Sequence, residues 1–410
     1  MKKLLKLLPL FILIITSCGF QNNATVILWT DKPEMAAYVE EFNSIQEKYR
    51  IELVYKKEPG KSLENEENPG DIIISEFLNS PELIKLFSPL TNIVSEGNID
   101  PAIFYSGLLD LGYIDKELFL LPISFNLPVI MLKKEQNVEN IPAFYLNPDK
   151  MKETALNFNN KSNSKFEMMG FSPRWSSEVL YLNAVLMKTD FHVLNSGVLS
   201  WNEKNLQDSL QLSKTWNNEI NGSLKLEEDF KAKFLYDPAY KLIEENRILF
   251  YYSDLISFFR ISPEKRDSLG FRWFSSEDKI PVLGNILFSG IPDKANNRKG
   301  ATQFIHWFFN YNTQKKLLKS SQIKRLDTFG FANGFSSIKD INENELPIIY
   351  PNLVGYIPQE SSLIFPKALP PFWNELKTKV IEPWLFEQTG ANPPDTSLQD
   401  AINEWLKQKS

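Results

Sequence analysis

Short runs of β-type residues, each followed by a polar break and then by apolar residues at helical spacing, set the pattern of the first hundred residues. Thr25 to Thr30 (TVILWT) is such a run. Asp31, Pro33 and Glu34 follow it, and then Met35, Tyr38, Val39, Phe42 and Ile45 recur on one helical face, which predicts a strand feeding a helix. Asp31 and Glu34 have capping-box spacing with Pro33 in the first turn. Ile51, Leu53 and Tyr55 alternate as in a strand, 58–70 reads as a polar loop, and Asp71 to Ser75 (DIIIS) predicts a buried strand. Such alternation favours a parallel sheet covered by helices, whose ligands sit beyond the carboxyl ends of the strands.

Three apolar runs end in polar groups with a helical pattern close behind. TVILWT stops at Asp31, DIIIS at Ser75 and Glu76, and Arg247 to Tyr252 (RILFYY) at Ser253 and Asp254. Each terminus is either a ligand contact or a helix cap. Leu118 to Leu132, LFLLPISFNLPVIML, is interrupted by Pro122 and Pro128 and must therefore be extended. A turn at Asp115-Lys116 predicts a hairpin before it, and the long strand can pass between lobes at Phe125 to Leu127. Later helices are predicted at Ser177 to Met187, Glu203 to Trp216, Arg298 to Phe309 and Leu398 to Leu406.

The ends change the picture. Lys2, Lys3 and Lys6 precede the apolar stretch Leu7 to Ile15 and the small residues Thr16 and Ser17, the layout of a secretory signal. The stretch is shorter than the about 20 apolar residues of a membrane span. Cleavage after residue 17 would leave Cys18, the only cysteine, at the front. Ile15-Thr16-Ser17-Cys18 resembles the bacterial lipoprotein box, which implies lipidation of the Cys18 sulfur and acylation of its amine. Two or three acyl chains anchor stably where one does not. The expectation is an exported protein with a signal peptide over 1–17, a lipidated tether over 18–24, and a hold on the cell surface or the periplasmic face of a bacterial membrane.

Removing three lysines with residues 1–17 takes the formal charge from −6 to −9. A mildly acidic surface without basic clusters argues against nucleic acid as a partner. The remaining length exceeds what one hydrophobic core organises, so two lobes are expected.

Candidate chemistry is sparse. His192 and His306 are the only histidines and read as core or boundary residues. Without HExxH or further cysteines, no metal is expected; without GxSxG, a Walker loop or GxGxxG, neither seryl nor phosphoryl chemistry nor a cofactor has support. A glycosidase-type carboxylate pair leaves no spacing signature and stays open. Aromatics are the more informative class: nine Trp, fourteen Tyr and thirty Phe. Trp175 in FSPRW, Tyr251, Tyr252 and Trp273 in FRWF fall beside predicted strand ends or loops, where flat rings can lie on the C–H face of a sugar while nearby polar groups bond its hydroxyls. Trp29, within TVILWT, reads as core.

From about Thr25 to the C-terminus the chain resembles family 1 of the extracellular solute-binding proteins of bacterial ABC importers, the maltose-binding type. The likeness rests on VILWTDKPEMAAYVEEFN, GDIIIS, LLPISFNLPVIMLKK, GFSPRW, YKLIEENRILFYYSDL, SGIPDKANNRKGATQFIHWFF and FGFANGFSS, in that order. It implies an α/β fold of the two-lobe, type II periplasmic-binding-protein kind, each lobe a central sheet flanked by helices and joined by a hinge. The first lobe would comprise 25–126 and 281–330, the second 127–280 and 331–410. The family contacts its solute from Thr30 and Asp31, from Ser75 and Glu76, from Asn126 on the crossing strand, from Trp175, and from Tyr252, Ser253 and Asp254; Trp273 joins these as a candidate ring. Stretch 56–70 is expected to lack the helix the family carries there. The resemblance implies a monomeric, non-enzymatic receptor for a small-molecule solute, a sugar or oligosaccharide, with ABC permease subunits as partners. An exported glycan hydrolase and an interaction or adhesion lipoprotein that has lost its ligand are the alternatives.

Overall fold

A computed structural model describes residues 24–95, 99–134, 141–194, 196–326 and 328–409. The expected signal peptide over 1–17, Cys18 and the expected tether up to residue 23 lie outside the described residues. Ten strands form the two larger sheets: β1 Ala24–Thr30, β2 Tyr49–Tyr55, β3 Ile72–Glu76, β4 Leu121–Phe125, β5 Pro128–Lys133, β6 Tyr145–Leu146, β7 Tyr251–Asp254, β8 Leu269–Phe274, β9 Leu287–Gly290 and β10 Phe335–Ser336. The first sheet has the order β10-β4-β9-β3-β1-β2, with β1 parallel to β2 and β3 and with β9 antiparallel to both β3 and β4. In the second sheet, ordered β7-β5-β8-β6, the central β5 is antiparallel to both neighbours. The architecture is α/β, with helices packed on both sheets.

The chain changes sheets at Asn126 and Leu127, between β4 and β5, and returns between β8 and β9. Both sides of the first crossing are buried, which explains the unbroken apolar run: a strand covered on two faces has no solvent-facing residue to alternate with. The expected hairpin forms at Asp115 and Lys116, both at positive φ, joining Tyr113–Ile114 to Glu117–Leu118. Helix Met35–Ile45 buries Met35, Tyr38, Val39 and Phe42, and Phe42 meets Phe304 of helix Arg298–Phe308 edge-on at 5.3 Å. Each such ring removed from water contributes about 1.5–3 kcal/mol. Trp29 is core, as its place in TVILWT implies.

Four details differ from the sequence reading. The capping box is not made: Glu34 stands at the N-cap without a side-chain cap bond, and the Asp31 carboxylate turns to Lys32 and Ser75 instead. Stretch 56–70 does carry a helix, Pro59–Asn65, which buries Pro59, Gly60 and Leu63; one leucine among charged residues gave no periodic signal. The run RILFYY pairs as a strand only from Tyr251 on, while Ile248, Leu249 and Phe250 are packed in the core. Past residue 331 the chain still adds an edge to the first sheet, where Phe335 and Ser336 pair with Phe125 and Ser124. That edge follows a tight turn in FGFANGF with Ala332 and Asn333 at positive φ, and a Cβ on Gly334 would stand 2.7 Å from the Phe125 carbonyl oxygen.

Candidate ligand cleft

Where the carboxyl ends of β1, β3 and β4 face the end of β7, three adjoining cavities open between the sheets. An aromatic chamber of about 700 Å³ lies on the side of the second sheet. An inner chamber of about 350 Å³ shares Asp254 and Asn285 with it. An outer chamber of about 520 Å³ shares Asp31 and Glu76 with the inner one and Asn374 with the aromatic one.

The aromatic chamber is walled by Tyr181, Phe191, Tyr252, Phe365 and Trp373. Tyr181 projects from helix Ser177–Leu186 and stacks on Phe191 at 5.7 Å, and Trp373 lies 5.7 Å from Phe191 at an angle of 51°. Trp373 also packs on Tyr181, ring centroids 6.1 Å apart and tilted by 58°, so the three rings fix one another's orientation. Burial pushes the Tyr181 and Tyr252 phenols well above their usual range, which keeps both protonated. Trp373 and Phe191 are buried behind this wall and hold it, while the partly exposed Tyr252 and Phe365 present its open faces without losing rotamer freedom when a ligand arrives.

Much of the charge in this chamber is paired. The Lys377 ammonium donates to both oxygens of Glu178, at 2.9 and 2.8 Å, and stands 3.6 Å from Glu382. Ser177 Oγ donates to Glu382 at 2.8 Å. Burial, and then the neighbouring Glu178, pushes the Glu382 carboxyl above the ordinary carboxylate range. At the rim Lys367 pairs with Asp190 at 2.5 Å. The chamber therefore offers rings, amides and paired ions, a composition suited to an uncharged polyhydroxylated ligand.

The structure brings several of the sequence candidates together. Asp31, Glu76 and Asn126 line the inner chamber, Tyr252 the aromatic one, and Asp254 both. Asn126 is buried, and its side-chain oxygen accepts the backbone N–H of Leu127. Asp254 also caps helix Leu255–Arg260 by accepting from the Ser257 N–H at 2.6 Å, so the cap and the cleft positions coincide in one residue. Ser75 borders the outer chamber and reaches Asp31. Thr30 is fully buried, with its hydroxyl accepting from the Lys32 N–H, and Ser253 turns its hydroxyl to the Asp254 carbonyl. Neither of these two borders the three cavities.

Two rings stand elsewhere. Trp175 packs between Phe171 and Phe230 in the second lobe's core. Trp273, on β8, is buried and donates its indole N–H to the Tyr356 carbonyl at 2.9 Å, with Phe335 of β10 at 6.1 Å, so it joins the two sheets near their crossing. Tyr251, one residue before the chamber, pairs with Met131 and does not border it. Of the rings that form the wall, the sequence points to Tyr252 but not to Tyr181, Phe191, Phe365 or Trp373. The one signal is for Tyr181: Glu178, three residues before it, is the single charge on an otherwise apolar helix. Among the described residues no group of three or more His, Cys, Asp or Glu could hold a metal ion, and no helix is long and apolar enough to cross a membrane.

This is the fold of the sugar-binding proteins of ABC transporters: two sheets, strand crossings between them, and a cleft at the crossing. The chain is similar to the sugar-binding protein MalE of Xanthomonas citri, with a TM-score of 0.70 over 94% of this chain and 96% of that one at 11% identity. It is also similar to the cyclic α-maltosyl-1,6-maltose binding protein of Arthrobacter globiformis, with a TM-score of 0.62, 93% and 96% coverage and 13% identity. An ABC substrate-binding protein of Listeria monocytogenes in complex with cycloalternan matches with a TM-score of 0.63, 95% and 99% coverage and 11% identity. No protein-family model matches the chain, and no curated protein sequence matches it.

Proposed function

We infer that this protein is the solute receptor of an ABC importer, a binding protein that takes an uncharged sugar or oligosaccharide into the cleft and closes its two lobes on it. The observation that carries this is the aromatic chamber, in which Tyr181, Phe191 and Trp373 fix one another beside the polar ends of the strands. Three proteins with the same fold are described with saccharides: cyclic α-maltosyl-1,6-maltose, cycloalternan and mannotriose. A micromolar ligand supplies about 8 kcal/mol in all, and closure draws on whatever part of it the closed arrangement binds better than the open one.

Cys18 carries the lipid anchor in this reading, which keeps the exported receptor beside its permease while solute is captured and passed inward. The inner chamber's Asp31, Glu76, Asn126 and Asp254 and the aromatic chamber's Tyr252 are its solute contacts, now joined by Phe365, with Tyr181 and Trp373 behind them. Glu178 bears on the hydrolase alternative. Both of its oxygens accept from Lys377, which occupies the lone pairs a nucleophile would need and fixes the carboxylate as an acceptor for a hydroxyl.

Calorimetric titration with maltotriose, mannotriose, cycloalternan and mannitol tests the reading. Binding of at least one, with the saccharide recovered unchanged, is the expected result. No heat from any of the four, or recovery of cleaved product, would overturn it.

A further inference from the structure

Where the three cavities adjoin, one hydrogen bond spans the cleft. Asn374 Nδ2, on the short helix Trp373–Leu376 beside the second sheet, donates to Glu76 Oε2, at the end of β3 in the first, over 2.9 Å. Glu76 is held ready for it. Its other oxygen accepts from the Lys32 ammonium at 2.7 Å, and Lys32 is itself 3.4 Å from Asp31, which accepts from the Ser75 hydroxyl. The two acids hold a proton on Lys32 more firmly than an ordinary lysine does, against the opposing effect of its burial. Glu76 thus has its carboxylate fixed by the first lobe while one oxygen faces the second.

We propose that Asn374 is a positioning residue that couples the aromatic wall to the first lobe: its bond to Glu76 favours the closed arrangement of the lobes and fixes the wall that Trp373 forms. The coupling follows from adjacency. Asn374 directly follows Trp373, whose ring packs against Tyr181 and Phe191, so the bond cannot break by lobe opening without releasing a restraint on that wall. A bond to a carboxylate is stronger than a neutral one, and at a partly exposed site such as this it shifts a population rather than locking it. The inference rests on the gap between the sheets being the ligand cleft, but its test needs no ligand.

Small-angle scattering of the purified protein reads it. Asn374→Ala removes the donor, and Asn374→Asp places a third carboxylate beside Glu76 and Asp31 around the single Lys32 ammonium; both are expected to raise the radius of gyration, the second more. Combining Asn374→Asp with Glu76→Gln restores a donor and an acceptor with their roles exchanged, and is expected to return the radius to the wild-type value. Unchanged thermal unfolding of the three variants separates lobe opening from loss of fold. Scattering from Asn374→Ala and Asn374→Asp indistinguishable from wild type would overturn the proposal, as would expansion that the exchanged pair fails to reverse. Failure of every saccharide in the titration would instead remove the sugar reading and leave this result standing.

Discussion

Trp175 lies stacked on Phe230, with ring centroids 5.8 Å apart and planes within 16°, and Phe171 meets its edge. A ring held on two sides inside the second lobe contributes packing. Trp175→Ala is therefore expected to cost about 3 kcal/mol of stability in urea unfolding while leaving saccharide affinity within about twofold. A stable variant that binds sugar poorly would return Trp175 to the cleft.

Tyr252 makes the complementary case. It borders the aromatic chamber from within β7 and is mostly buried, with part of its ring open to the chamber. Tyr252→Ala is expected to weaken the affinity of the best saccharide by more than about tenfold, roughly 1.4 kcal/mol, with a smaller effect on unfolding than Trp175→Ala. Calorimetry on both variants gives the two effects side by side.

Arg174 is buried, donates to the Phe386 carbonyl at 2.6 Å and the Thr389 hydroxyl at 2.7 Å, and faces the buried Glu227 at 3.7 Å. Burial has pushed the Glu227 carboxyl up, and Arg174 offsets part of that. Arg174→Ala leaves the acid with only Lys231 as a nearby cation and the last turn of helix Glu382–Gln388 without its donor. A loss of about 3 kcal/mol or more is expected in thermal or denaturant unfolding.

The Glu382 carboxyl gives a pH dependence of defined sign. Its folded-state affinity for a proton is raised above the ordinary 4.5 by burial and by Glu178. Between 4.5 and the raised value the folded state holds a proton that the unfolded state has lost, so stability falls as pH rises through that window. Glu382→Gln cannot titrate, and the difference in unfolding free energy between wild type and variant is expected to move against the wild type as pH climbs from about 4.5, then level off. A difference that stays flat, or moves the other way, contradicts the assignment.

Most of the frame was legible because burial and backbone chemistry are local. The proline-broken tract of 118–132 had to be extended, and it runs as β4 and β5 through the sheet crossing. Met35–Ile45 and Arg298–Phe308 announced themselves by apolar periodicity. The cleft was legible only in part. Asp31, Glu76, Asn126 and Asp254 could be found because strand termini in such a sheet point at one crevice, and that rule needs no knowledge of the partner lobe. Tyr181 and Trp373, 192 positions apart in the sequence, meet only through the packing of two helices from distant parts of the chain, and no spacing records that. Trp175 and Trp273 misled for the converse reason: a ring near a predicted strand end can turn inward or outward, and the sequence does not say which.

The most direct test of the account is a crystal structure of the protein with the tightest-binding saccharide of the panel. The account predicts a sugar ring against the faces of Tyr252 and Phe365, with hydroxyls within hydrogen-bond distance of groups on both sides of the gap, Glu178 or Asp254 on one side and Asp31, Glu76 or Asn126 on the other. A saccharide bound outside the gap between the sheets, or touching one sheet alone, would contradict it.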